Sequence, residues 1–345
     1  MKKLSVISLI FSLLFVFSCE DEKNNDSEIK NIIFISNRDG NEQIYKMDEY
    51  GNNLSRLTNN DRRKQNYFST YFSNDGNKIV YNNLGSFEGV EDIYIINTDG
   101  TNETKLTNNN VDNEGYNFNP MFSYDGTKIF FGSNRNGCCD LFMMDVDGNN
   151  QTNLTNDTEF YSNYRFSLSP DGSVIVYTWN VETTKLHVGI GSININDNTQ
   201  TQLSNDGGHS PQFSPDGSKI VFVKDSEIYI MNSDGSNHIN LTDDNPIDNS
   251  QDEEPQFSPD GSKILFISYH RIDNRWGIYI MDSDGNNQTR LTFNEGLHPQ
   301  FSPDGSKIVY VSDGRIYIMN VDGSNQTKLT QSGEDGFPQF QPLSK

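Results

Sequence analysis

An all-β, seven-bladed β-propeller of four-stranded blades is what the sequence predicts, with six blades as the alternative, and three observations predict it. The segment PQFSPDGSKIVF at 211–222 returns almost unchanged at 255–266 and 299–310. Anchors of the form [F/L]-S-x-D-G begin at Phe72, Phe122, Leu168, Phe213, Phe257 and Phe301, separated by 50, 46, 45, 44 and 44 residues. Finally, Pro338-Gln339-Phe340 opens a further copy and stops. Repetition at this period belongs to stacked supersecondary units.

Each unit reads as four short strands. The anchor carries the first strand into an S-x-D-G turn, where Asp bonds local backbone and Gly supplies a positive φ. A second run such as KIVF follows, rich in β-branched and aromatic residues and apolar on both faces, as a sheet packed between two others requires. The third strand reads IYIMNSDG at 228–235, IYIMDSDG at 278–285 and IYIMNVDG at 316–323. Its D-G turn leads to a fourth segment ending in Leu-Thr. Helical repeats of similar length are excluded, because these apolar runs are too short and D-G turns interrupt them.

The chain ends predict closure. Ile32–Ile35, Ile44–Met47 and Leu54–Thr58 match the second, third and fourth strands of a unit that lacks its first. The closing Pro338-Gln339-Phe340 supplies that strand, which pairs with the N-terminal three. Such closure removes open sheet edges.

Ahead of the propeller lies MKKLSVISLIFSLLFVFSC. Lys2 and Lys3 form a basic start, and Leu4 to Phe17 an apolar stretch of 14 residues, short for a membrane span and suited to an export signal. Val16-Phe17-Ser18-Cys19 resembles a bacterial lipobox, with Cys19 as the lipidated residue; the alternative is an ordinary cleaved signal. The expected organisation is a lipoprotein signal peptide at 1–18, a flexible acidic tether at 19–29 and the propeller at 30–343. Cleavage removes two lysines and takes the formal charge from −22 to −24. The Glu20-Asp21-Glu22 run resembles those that accompany surface export in some bacterial lineages. Outer-membrane attachment by the lipid anchor alone, on the periplasmic or the surface side, is therefore expected. With 48 acidic against 26 basic residues, nucleic acid is excluded as a partner. Cys138 and Cys139 are adjacent, too short a link for an unstrained disulfide, and lack C-x-x-C spacing; they read as loop or strand-edge thiols.

The repeat S-P-D-G-S-K-I-V-F, then I-Y-I-M-N-x-D-G, then L-T, resembles that of TolB-type propellers, often described as WD-repeat-like, over about residues 30–342. The resemblance implies a propeller and an envelope setting. Two departures stand out. TolB carries an α/β domain before a six-bladed propeller, whereas here the repeats begin about a dozen residues after Cys19 and count to seven. A Tol–Pal role is therefore not carried over.

Strand alternation sorts the loops. The S-x-D-G and N-x-D-G turns share one short, uniform face. The other face receives the second-to-third loops and the links between blades, which vary in length and chemistry. Trp179, Trp276, Tyr116, Tyr161, Tyr164, Tyr269, Arg271 and Arg275 fall in that variable set. Aromatics and arginines on loops held by a rigid scaffold are the material of recognition. The blander reading is that they cover the blade tops. Residues preceding the innermost strands form a ring at the channel mouth: Ser69, Asn119, Arg165, Ser210, Glu254, His298 and Phe337. Arg165, His209, Glu254 and His298 join the candidate ligand-binding set. His209, His298, Glu253 and Glu254 are the side chains that would share a cation. Scattered His and Glu are more often surface residues, and no metal or other cofactor is expected. The D-x-D-G copies at Asp145 and Asp282 lack the acidic twelfth position of a calcium loop, where Asn156 and Phe293 stand.

No G-x-S-x-G elbow occurs, which argues against the peptidases that carry similar propellers. The expectation is a monomeric, non-enzymatic envelope lipoprotein that binds a protein or a glycan through its variable face. The alternative is a metal-dependent polysaccharide lyase of the oligogalacturonate lyase type. That resemblance implies several histidines and a glutamine around a divalent cation. Here His209 and His298 lie at the mouth, and a third ligand must come from His187 or His270.

Overall fold

Consecutive apolar residues along the second strand of each unit face opposite neighbours. Ile32 and Phe34 pack with Val309 and Ile318, whereas Ile33 and Ile35 pack with Ile79 and Tyr81. The computed structural model describes residues 30–59, 69–84, 91–108, 115–136, 139–155, 166–180, 188–242, 251–270 and 275–343. Within them, strands form seven four-stranded antiparallel sheets arranged as the blades of a ring. Blade 1 combines Asp335–Phe340 with Asn31–Ser36, Gln43–Asp48 and Ser55–Arg56. The innermost strands of blades 2 to 7 are Thr70–Phe72, Asn117–Phe122, Ser167–Leu168, His209–Phe213, Gln251–Phe257 and Leu297–Phe301. Each of seven hydrophobic clusters joins two successive blades, and one joins blade 7 to blade 1. The core therefore lies between blades.

The repeat's polar residues hold each blade in shape. At 213–219 the Ser214 hydroxyl donates to Asp216 Oδ1 at 2.5 Å and accepts the Lys219 amide at 3.0 Å. Gly217 takes a φ of +73° there, which a residue with a Cβ rarely adopts. The recurring Leu-Thr also has a chemical reason. Thr107 Oγ1 accepts the Ile93 amide at 2.9 Å and donates to Asp92 Oδ1 at 2.9 Å, fixing the fourth strand to the third. Thr58, Thr155 and Thr242 repeat the arrangement. The D-x-D-G segments are turns: Asp145 and Asp282 are held by Asn150 and Asn287 at 2.5 Å and by Lys128 and Lys263.

Closure occurs where the chain ends predict it. Asp335–Phe340 pairs antiparallel with Asn31–Ser36, with Ile32 opposite Phe340 and Ser36 opposite Asp335. Arg38 reaches across the seam to Asp335 at 2.9 Å, with the Asp335 side chain fully buried. The Arg38 guanidinium also lies over the rings of Phe34 and Tyr45 at 4.9 and 4.8 Å. Gln339 and Gln341 then extend the seam to blade 2, donating to the carbonyls of Thr70 and Gly76 at 2.5 and 2.7 Å.

Removing one member of a buried ion pair strands the other charge. Asp335→Ala is expected to lower stability by about 3–5 kcal/mol, read from the denaturant midpoint. Deleting residues 338–345 should cost more, and a truncated chain that melts cooperatively at the full-length temperature would show that the ring does not depend on this seam.

Candidate functional site

The ring at the channel mouth owes its shape to proline. In blades 1, 3, 5, 6 and 7 the innermost strand carries a Pro, at Pro338, Pro120, Pro211, Pro255 and Pro299. Proline has no N–H to give the ladder, so the strand bulges there. The register slips between Phe118 and Met121, His209 and Gln212, Glu253 and Gln256, and Leu297 and Gln300. The residue before each Pro takes a left-handed φ: Asn119 +49°, Ser210 +54°, Glu254 +53°, His298 +50° and Phe337 +49°. Blade 2 has Thr70 and blade 4 has Phe166 where those five have Pro, and their ladders run without a slip. Five of the seven expected ring residues thus share one backbone device. Ser69 completes the described part of the ring, donating to Asn119 Oδ1 at 2.6 Å.

Blades 5, 6, 7 and 1 place their side chains in contact. His298 Nδ1 lies 3.2 Å from Glu254 Oε1, and the His298 ring stacks on Phe337 with centroids 4.2 Å apart. On the other side, His209 Nε2 lies 3.9 Å from Glu253 Oε1, and its Nδ1 lies 3.2 Å from Ser210 Oγ. The four groups named for a shared cation form two separate pairs. Among the described residues, no three His, Cys, Asp or Glu side chains converge as metal ligands would.

Burial decides the protonation of the His209–Glu253 pair. Desolvation lowers His209 to about 4, so the imidazole is neutral at physiological pH. Desolvation, then repulsion from Glu254 and Asp252, raises Glu253 to about 7. The contact is therefore no ion pair at neutral pH. A Ser210–His209–Glu253 line nevertheless crosses the mouth, which the sequence reading missed because it spans two blades. It is poorly matched to acyl transfer: an imidazole near 4 is a weak base, and 3.9 Å is too long for a hydrogen bond.

Below the mouth a cavity of about 680 Å³ follows the inner strands. Ser210, Glu253, Glu254 and Trp276 line its variable-face end, and Asn74, Tyr124 and Pro342 the opposite end. The P-Q-F glutamines stitch its wall. Gln212 Oε1 accepts the Phe257 amide at 2.8 Å, and Gln256 Nε2 donates to the Pro299 carbonyl at 2.6 Å.

Four residues expected on loops lie in strands. Tyr269 and Trp276 face each other across the second and third strands of blade 6, Lys263–His270 and Arg275–Asp282, with ring centroids 5.5 Å apart. Arg275 opens the latter strand and is exposed. Trp179 lies in Val174–Asn180, opposite Gly189, and packs half-buried against the core between blades 3 and 4. Antiparallel pairing continues past the point where polar residues suggested loops. Trp276 thus reaches the cavity, and Trp179 does not line it. Cys139 packs half-buried beside the same core as Trp179. Cys19, Cys138, Tyr161, Tyr164, Arg165, His187 and Arg271 lie outside the described residues.

A family model described as the TolB beta propeller domain matches residues 67–224 and 195–345. Among solved structures, the chain is similar to an oligogalacturonate lyase in complex with manganese, with a TM-score of 0.63 at 18% identity over 87% of this chain and 85% of that one. It is also similar to TolB from Acinetobacter baumannii, with a TM-score of 0.58 at 21% identity over 78% and 67%. A puromycin hydrolase gives a TM-score of 0.67 at 10% identity, over 88% of this chain and 52% of that one. At such identities the likeness is one of fold. No curated protein matches the sequence.

Glu253 ionises near 4.5 when unfolded and near 7 when folded. The penalty is absent below pH 4.5, where the group is neutral in both states, grows as pH rises from 4.5 to 7, and is constant above that. Glu253→Gln should therefore raise stability at pH 8 by roughly 1–2 kcal/mol, allowing for partial solvent screening, and leave it unchanged at pH 4. Denaturant melts at the two pH values check this, and equal gains at both would refute the assignment.

Proposed function

The chain belongs to the TolB β-propeller family, and from that premise we propose that it is a non-enzymatic cell-envelope lipoprotein whose variable face holds a protein or glycan partner. One observation carries the reading: two members of the chemically unequal ring of Ser69, Asn119, Ser210, Glu254, His298 and Phe337, namely Ser210 and Glu254, line a cavity of about 680 Å³. Repeated positions build the blades, and the positions that differ meet at one mouth. A rigid scaffold presenting unlike side chains at a concave opening is a binding arrangement.

The weak base at His209 favours binding over chemistry, since a nucleophile at Ser210 would need a partner poised nearer neutrality. The envelope setting follows the family likeness and the lipobox at Val16–Cys19. Among the described residues no helix is long and apolar enough to cross a membrane. The lipobox assigns attachment to the lipid on Cys19, and the chain is taken to act as a monomer.

Two experiments test these parts separately. Cells fed radiolabelled palmitate should label the chain, and Cys19→Ser should abolish the label and release the protein from membranes; an unlabelled wild type would refute the anchor. The processed chain, used as bait for its own envelope extract and on a glycan array, should retain a partner. Replacing Trp276, Arg275 and His298 together by Ala should weaken that partner at least tenfold, whereas undiminished retention would move the site off this face. Ultraviolet-absorbing unsaturated products from pectic oligomers with added manganese would instead establish the lyase reading.

A further inference from the structure

We propose that the cavity at the mouth is a subsite for an uncharged sugar, the end of a neutral oligosaccharide lying across Trp276. The proposal rests on the variable-face reading and narrows it to one ligand chemistry.

The first argument is the wall. Trp276 lines the cavity and is held by Tyr269, its partner across the hairpin, and by the core between blades 6 and 7. The two strands that carry them are eight residues each, against six for their counterparts in blades 1, 3, 5 and 7. Blade 6 therefore stands taller than those neighbours and sets an aromatic ring at the edge of the opening. An aromatic ring held at one edge of a cavity offers an apolar surface to the C–H face of a pyranose.

The polar lining supplies the other half. Gln212, Gln256 and Gln300 add amides to the wall, and Glu253 and Glu254 add carboxyls at the mouth. Gln212 uses its carbonyl oxygen on Phe257 and keeps its NH2 for donation, whereas Gln256 uses its NH2 on Pro299 and keeps its oxygen for accepting. Sugar hydroxyls donate and accept at once, and this wall does both.

Charge then selects among sugars. Among the described residues lining the cavity, the carboxyl groups are Glu253 and Glu254, and no Lys or Arg lines it. The whole chain carries a formal charge of −22. A uronate carboxylate entering this mouth meets Glu254 and the partly ionised Glu253 with no cation lining the cavity, which should weaken it by about tenfold or more relative to the neutral sugar. A protein partner fits less well. A stable interface buries about 1,000 Å² or more around apolar anchors. Among the described residues, the exposed large apolar side chains on this face are Tyr116 and Phe293.

The test uses the processed chain carrying Trp179→Phe, which leaves Trp276 as its single tryptophan. Cellotetraose, maltotetraose, xylotetraose, mannotetraose, triacetylchitotriose and trigalacturonate are titrated against Trp276 fluorescence. At least one neutral sugar should give a saturable shift, and trigalacturonate should bind at least tenfold more weakly. Calorimetry on chains with Trp179 intact provides a second readout: Trp276→Ala should lose at least tenfold in affinity, and Trp276→Phe should recover part of it. Trigalacturonate as the tighter ligand, or no response to any neutral sugar, overturns the proposal. If sugars fail while the Trp276, Arg275 and His298 replacement still loses an envelope protein, the neutral-sugar inference alone falls. If that replacement loses neither, the variable-face reading falls with it.

Discussion

No blade of this protein owns a core. Each sheet is apolar on both sides, and each side is completed by the next sheet around the ring. A blade with an open side would expose residues such as Ile32, Phe34 and Tyr45, which are almost fully buried when blade 7 covers them. The seam between Asp335–Phe340 and Asn31–Ser36 is therefore the interaction on which the others depend. It joins residues about three hundred positions apart, so chain entropy opposes it more than any hairpin within a blade. The buried Arg38–Asp335 pair, stacked over Phe34 and Tyr45, places specific chemistry at that costly step.

Within the closed ring, architecture and recognition occupy different positions of the same repeat. The Ser and Asp of the S-x-D-G turns and the Thr of Leu-Thr bond to their own blade's backbone or side chains, which explains their repetition. The residue before proline has no such duty. Proline forces a bulge and fixes its neighbour's backbone, while leaving that neighbour's side chain unspecified. Asn, Ser, Glu, His and Phe each stand there. A left-handed φ costs of order 1 kcal/mol for such residues, and the surrounding ladder must hold it. The ring thus carries variable chemistry on a backbone that barely varies.

Much of this was legible in the sequence because it is local and repeated. Strand count, turn chemistry and the split final blade follow from spacing alone. The positions of Asn119, Ser210, Glu254, His298 and Phe337, which share one backbone conformation, were also legible, since each immediately precedes a recurring segment. Other features depend on which blades touch and were hidden. The pairing of His209 with Glu253, and of His298 with Glu254, links residues 44 apart whose side-chain directions are set by the bulges. The loop boundaries misled for a different reason. Thr178-Trp179-Asn180 and Tyr269-His270 look polar enough to end a strand, yet cross-strand pairing carries them on. That extension lets both tryptophans pack beside cores between blades, and of the two only Trp276 also lines the cavity.

The closing strand also connects stability to the mouth. Phe337 lies inside Asp335–Phe340, so the chain's last strand contributes a ring residue as well as the seam. Its ring stacks on His298, and His298 reaches Glu254. Side chains from blades 1, 7 and 6 therefore meet only when the C-terminal strand is home. Were the seam to open, Phe337 would leave with it, and His298 would lose the face against which it rests. The mouth is consequently a property of the closed ring and of no single blade, and the physical basis for a ligand stabilising the protein is that binding there favours the closed seam.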